Sequence, residues 1–181
     1  RAGSALQDVK LQVEFNPTRV KAYRLIGYEH AKLKARDFND DTRAGGELAD
    51  GQTVTALYEI VPHGLDVPGL SLDPLRYQKT SRLSPAASGQ ELLNVKVRAK
   101  APGDVRSRLQ TAVLMDAAPA WRKASADFRA AAAAAGLGML LRRSEYRGAL
   151  TYGMVRDISV PDAVFLRLTE KARRADAAAL P

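Results

Sequence analysis

Between Asp8 and Phe15 apolar and polar residues alternate one for one, Val9, Leu11, Val13 and Phe15 against Lys10, Gln12 and Glu14. A period of two sends successive side chains to opposite faces, so the segment predicts a half-buried β-strand with its polar row in water. Asn16-Pro17 ends the run, and a second one rich in β-branched and aromatic residues, Arg19 to Tyr28, follows at turn-length spacing, which predicts a hairpin. Val54, Ala56, Tyr58 and Ile60 alternate with Thr53, Thr55, Leu57 and Glu59 as far as Pro62 and predict a third strand. Leu93, Val95, Val97 and Ala99 alternate with Asn94, Lys96, Arg98 and Lys100 and predict a fourth. After the Pro102-Gly103-Asp104 turn, Arg106 to Leu114 reads as a fifth. Lys96, Arg98 and Lys100 are then expected on a solvent face, where cations also discourage edge-to-edge pairing.

Beyond Met115 the rhythm changes. Trp121, Phe128, Ala132, Ala135 and Met139 recur at three- and four-residue spacing, which predicts an amphipathic helix with that stripe against a core. The alanine run Ala130 to Ala135 supplies high helix propensity and a smooth packing surface. Gly136 and Gly138 predict a bend or a close contact. Thr151 is placed to cap a short helix running through Ile158, and Pro161 to open another whose stripe is Phe165, Leu168, Ala172 and Ala175.

One-sided alternation belongs to antiparallel sheets, which are dry on one face and wet on the other. The chain is therefore expected to be a single α+β domain. Its residues 1–115 would form an antiparallel β-sandwich or partial barrel of about five to seven strands, in the range usual for such sheets. Residues 116–181 would form two or three helices packed on it. The polar stretches 37–51 and 62–90 read as connections, the second long enough to hold a short strand at Leu75 to Gln78.

Composition narrows the functional classes. With 181 residues, 46% hydrophobic and 27% charged, the chain is long enough and apolar enough for a sizeable core. No apolar run approaches the ~20 residues that a membrane-spanning helix needs. The chain opens at Arg1 without an initiator methionine or a signal-like pattern, as expected of a piece of a longer protein. Cysteine is absent, which removes disulfides, thiolate nucleophiles and thiolate metal ligands together.

The net charge of +8 comes in blocks. Residues 1–36 carry eight basic and three acidic side chains, residues 37–50 one and five, and residues 76–110 eight and two. Such alternation reads as a mixed solvated surface. The basic balance makes weak polyanion or nucleic-acid binding a third functional reading. An aromatic content of 6%, without a repeated basic-aromatic pattern for stacking, leaves nucleic acid outside the expected partners.

The sharpest local feature is Asp37-Phe38-Asn39-Asp40-Asp41, followed by Gly45-Gly46-Glu47. Clustered hard oxygen donors suit calcium, and Asp37, Asn39, Asp40, Asp41 and Glu47 form the candidate metal set; no other cofactor is expected. The EF-hand pattern fails, because Thr42 stands where a glycine is needed and Leu48 where a bidentate glutamate is needed. The simpler reading is a tight loop whose Asp and Asn side chains accept from backbone amides. Acids crowded in a polar loop are usually solvated, so acid–base catalysis is not expected there.

His30 and His63 lie in different segments without partners at ligand spacing. No Gly-x-Ser-x-Gly elbow occurs, and Ser84, Ser88 and Ser107 lack a local base. Gly45-Gly46-Glu47 lacks the lysine and strand-to-helix setting of a phosphate loop, and Gly136-Leu137-Gly138 falls late in a predicted helix. The chain is read as non-enzymatic.

Five stretches carry a resemblance. They are Val13-Glu14-Phe15-Asn16-Pro17, Tyr23-Arg24-Leu25-Ile26-Gly27-Tyr28, Asp37-Phe38-Asn39-Asp40-Asp41, Thr55-Ala56-Leu57-Tyr58-Glu59-Ile60, and Ala126-Asp127-Phe128-Arg129 leading on to Met139-Leu140-Leu141-Arg142. In that order the chain resembles the uncharacterised C-terminal domain of bacterial von Willebrand factor type A proteins. The resemblance implies a parent in which an A domain precedes this segment, at the bacterial cell envelope or otherwise outside the cytoplasm. It makes that A domain the expected partner. The Asp-x-Ser-x-Ser ligand motif of A domains is not reproduced: Asp157-Ile158-Ser159-Val160-Pro161 matches its first half alone. The expected function is a non-catalytic accessory module supporting protein–protein binding or adhesion, with calcium binding through Asp37–Glu47 as the alternative.

Overall fold

A computed structural model of the chain describes residues 4–27, 35–65, 83–117 and 121–178. The chain divides into two compact units, Arg1–Ala117 and Ala118–Pro181. Among the described residues the first holds six strands in two antiparallel sheets and the second holds three α-helices, an α+β composition. The Leu75 to Gln78 segment lies outside the described residues.

In the first unit the strands are β1 (Ser4–Phe15), β2 (Val20–Ile26), β3 (Gly46–Ala49), β4 (Leu57–Pro62), β5 (Glu91–Lys100) and β6 (Arg108–Met115). The larger sheet runs β3-β1-β5-β6 and the smaller pairs β2 with β4. The expected β1–β2 hairpin does not form. Both edges of β1 are occupied, by β3 and β5, and the turn after it is pinned elsewhere. Asn16 donates its side-chain amide to the carbonyls of Ala87 (3.0 Å) and Glu91 (2.8 Å) and accepts from the Thr18 amide and hydroxyl. The chain is thereby steered out of the first sheet, and β2 pairs with β4 from Val20↔Pro62 to Ile26↔Leu57. Phe15 joins the sheets, its ring 4.3 Å from that of Tyr23 and 5.4 Å from that of Tyr58.

Two further expectations change. The third predicted strand begins at Leu57 instead of Thr53, with Val54 exposed before it. A stretch read as connection contributes β3, four residues long and opened by a glycine, too short for an alternating pattern to register.

The sheet is also not dry and wet in the sense the alternation implies. Lys10, in the polar row of β1, is only 2% exposed, whereas Leu11, in the apolar row, is 45% exposed. A 3₁₀ turn over Ala35–Asn39 and the segment after it cover the polar face. β5 lies between β1 and β6, so Lys96, Arg98 and Lys100 do not guard an edge, and Lys100 is buried.

The helical unit comprises α1 (Ala126–Leu141), α2 (Tyr152–Ile158) and α3 (Ala163–Ala178). Each begins with a side-chain oxygen accepting a first-turn amide: Ser125 from Phe128, Thr151 from Met154 and Asp162 from Phe165. The predicted Thr151 to Ile158 helix is present. The stripe of α1 is displaced from the predicted one. Ala133, Gly136, Leu137 and Leu140 are buried, while Phe128 and Trp121 are exposed.

The displacement has a local cause. A Cβ on Gly136 would lie 3.1 Å from Val155 Cγ2 and 3.3 Å from Leu150 Cδ2, so the glycine permits the closest approach of α1 and α2 and sets the inward face. Gly138 has open space instead. On α3 the inward row is Phe165, Thr169 and Ala172, with Leu168 exposed. Arg129 closes α2 by donating to the carbonyls of Ile158 (3.0 Å) and Ser159 (2.9 Å).

Val155 is fully buried at the centre of this cluster, whereas its neighbour Met154 is exposed. Val155→Ala is expected to lower the stability of the helical unit by about 2 kcal/mol, and Met154→Ala by less than about 0.5 kcal/mol, in urea titrations followed by circular dichroism.

Candidate functional site

The acidic segment is held on the polar face of the larger sheet by two lysines. Lys10 donates from Nζ to the Asp37 carbonyl at 3.2 Å and the Asp40 carbonyl at 2.5 Å. Lys100 donates to the Asp41 carbonyl at 2.8 Å and pairs with the Asp8 carboxylate at 2.7 Å. Between them the Arg98 guanidinium lies 5.6 Å from the centre of the Phe38 ring, and Phe38 is buried. Backbone carbonyls that would otherwise lose water under the loop thus receive ammonium donors.

A bulge in β1 makes this possible. Gln7 pairs with Lys100 and Lys10 with Arg98, so β1 carries one residue more than β5 across that stretch. Asp8, in the bulge, has φ 52°, a left-handed conformation that aspartate tolerates better than most residues. Its carboxylate accepts from the Gly45 amide at 3.1 Å as well as from Lys100. Gly45 has no room for a side chain: a Cβ there would lie 2.6 Å from the Asp8 carbonyl carbon and 2.7 Å from the Val9 oxygen.

The five candidate ligands are spread over a 3₁₀ turn, the loop after it and β3. Asp37 and Asn39 belong to the 3₁₀ turn, Asn39 exposed, and the Asp37 carbonyl faces Lys10. Asp40 turns its carboxylate back to the Thr42 amide (2.9 Å) and hydroxyl (2.6 Å). Asp41 accepts from the Ser107 amide at 3.3 Å. Glu47 stands exposed on β3. Among the described residues no three His, Cys, Asp or Glu side chains form a group able to hold a metal ion. The Asp37, Asp40 and Asp41 carbonyls are engaged by lysine and the Asp40 and Asp41 carboxylates by amide donors, as in a tight loop with buried cations added.

Electrostatics follow from these contacts. The Lys100 ammonium, and then the Gly45 amide, hold the Asp8 carboxyl below its ordinary range. Thr42 does the same for Asp40, and Ser107 for Asp41. Asp8 in turn raises Lys100 above the ordinary lysine value. All three carboxylates are stabilised in the ionised form, and a general base poised near neutrality would need the opposite displacement.

The cations Lys10 and Lys100 and the fixed acid Asp8 escaped a sequence reading because they sit in strands 27 to 59 residues from the loop residues they bind. One signal was present: the acidic block 37–50 lies between two basic blocks. Part of that opposition is satisfied internally, not in solvent.

Taken together, the class is an α+β module with two antiparallel sheets in one unit and a three-helix unit after it. Comparison with known proteins makes the assignment specific. The chain belongs to the family described as "Uncharacterized protein YfbK, C-terminal", which matches residues 4–174. A curated relative, "Uncharacterized protein YfbK" of Escherichia coli (strain K12), is 38% identical over 140 residues, 77% of this chain and 23% of that protein. The chain thus spans less than a quarter of the length of this relative. No solved structure gives a significant match.

Lys10→Met is expected to lower the stability of the first unit by about 2–4 kcal/mol, because it strands two carbonyls under the loop. The same change at the half-exposed Lys96 should cost less than about 1 kcal/mol, both measured by chemical denaturation. Calorimetric titration of the wild-type chain with calcium is expected to give neither binding heat nor a shift in melting temperature. A saturable heat would show that the loop rearranges around an ion.

Proposed function

We propose that the chain is a non-catalytic accessory module lying C-terminal to a von Willebrand factor type A domain in its parent protein, where it supports protein–protein binding at the bacterial cell envelope. The carrying observation is that it belongs to a family described as the C-terminal part of a longer protein, with 140 matched residues making up 23% of the curated relative. The A domain comes from the five stretches that resemble the C-terminal domain of A-domain proteins, and it is the natural partner because it would be tethered beside this module.

The physical character of the site supports the reading. Its charged groups tie a loop to a sheet, and its carboxylates are held ionised by fixed donors, an arrangement for rigidity more than for proton transfer. Among the described residues no helix is long and apolar enough to cross a membrane. Attachment to an envelope would then come from other parts of the parent.

Titration of the 181-residue chain with the A domain of its parent is expected to give saturable association with a dissociation constant on the order of 10 μM, as suits a contact assisted by tethering. If the two also ignore each other when fused, with unchanged amide chemical shifts in both, the reading fails.

A further inference from the structure

Among the described residues β6 ends the larger sheet, and all eight of its residues are exposed. Edge strands are normally protected by lysine, proline, bulges or shortness. β3, at the other edge, is four residues long, carries Glu47 and has an irregular register. β6 is eight residues long and carries neither lysine nor proline, and its pairing with β5 is irregular at one place, between Leu114 and Met115. Arg108 at its start is its sole charge, and it pairs with β5 without interruption from Ala99↔Arg108 to Leu93↔Leu114. Leu109, Val113, Leu114 and Met115 are all exposed along it.

The free edge has a definite hydrogen-bonding phase. The Asp116 amide donates to the Gln90 carbonyl at 2.8 Å, which makes Met115 and Glu91 a pair not hydrogen-bonded to each other. A register shift separates that pair from Leu93↔Leu114; on the uninterrupted side the Asn16 amide at the Leu92 carbonyl (2.9 Å) turns Leu92 to β1 and Leu93 to Leu114, so Leu109, Thr111 and Val113 direct their amides and carbonyls away from β5, while the Met115 carbonyl accepts from the Ala117 amide at 3.0 Å.

We propose that this edge pairs antiparallel with β6 of a second copy of the chain, joining two four-stranded sheets into one of eight strands. A two-fold axis normal to the sheet keeps every side chain on its own face, so only registers that oppose odd with odd and even with even residues are open. One of them sets Ala112 against Ala112 on the axis. It places Thr111 opposite Val113, Leu109 opposite Met115, and Arg108 opposite Asp116 at both ends. The outward amides and carbonyls of Thr111 and Val113 then meet each other, the Met115 amide meets the Leu109 carbonyl, apolar residues meet on one face, and each terminal cation meets an anion. Among the described residues Arg108 has a 3.8 Å contact to Asp104 to give up, and Asp116, already 2.9 Å from Arg19, is partly exposed. Sliding the register by two residues instead opposes Arg108 to Leu114 and Ser107 to Met115, which loses both matches. The symmetric contact uses up the edge in each copy, so assembly closes at two.

The absence of cysteine makes the test direct. Ala112→Cys places one thiol on the axis, where opposed strands approach most closely, and mild oxidation is expected to give a covalent dimer. Gln110→Cys, on the same face but displaced from its own copy along the strand, is expected to cross-link at least about tenfold more slowly, since its Cα separation is beyond disulfide reach. In parallel, the wild-type mass by sedimentation should rise from 19.6 kDa to twice that value with concentration, and Val113→Lys should suppress the rise. A wild-type chain that stays monomeric up to roughly 1 mM, the weak limit of specific association, overturns the proposal. So does equal cross-linking of the two cysteine variants, or growth into species larger than a dimer.

Discussion

Two buried ammonium groups decide the shape of the β unit. Lys10 and Lys100 stand on the polar face of the larger sheet and take the carbonyls of Asp37, Asp40 and Asp41, while Asp8 balances Lys100 and fixes Gly45. Without these donors the segment 35–45 would have to leave its backbone oxygens unpaired or return to water. With them it lies flat on the sheet, Phe38 turned in beneath Arg98. A face that binary patterning assigns to solvent becomes a second packed layer. Buried charge is tolerated here because every ammonium contact is a hydrogen bond as well as an attraction.

The helical unit works by different means. Its interior is small and apolar, Ala133, Leu137, Leu140 and Val155, and its tightest contact depends on Gly136 lacking a side chain. Polar groups act at helix ends, where Ser125, Thr151 and Asp162 take first-turn amides and Arg129 takes last-turn carbonyls. Both units commit their polar side chains chiefly to closing their own backbones. What remains available for recognition is exposed surface, and on the β unit the most regular part of it is the open edge of β6.

Long alternating runs made β1 and β5 legible from residues alone, the Pro102-Gly103-Asp104 turn pointed to β6 after them, and the change of period near residue 115 and the cap at Thr151 were legible too. Pairing was not legible. Asn16 decides where the chain goes after β1 through side-chain bonds to residues 71 and 75 positions away, and no local pattern encodes that. The stripe of α1 was hidden by six consecutive alanines, which look alike on every face; Gly136 selects the inward one by contact with a helix that follows it. The acidic segment stood out in the sequence, but its chemistry did not. Lysines in the polar row of a strand look solvated until something covers them.

The claim that the Asp8–Lys100 pair holds the loop is tested most directly by the pH dependence of the stability of the β unit in wild type and Asp8→Asn. The Asp8 carboxyl titrates below its ordinary value of 3.8 in the folded chain, so its contribution is complete above that value and disappears as pH falls through the folded one. Lys100 titrates above 10.5, so its contribution is complete below that value and disappears as pH rises through the folded one. The account predicts a plateau between these limits for wild type, and for Asp8→Asn a lower plateau with a shallower acid slope. Superimposable profiles would mean that the pair contributes nothing, and that something else keeps the loop on the sheet.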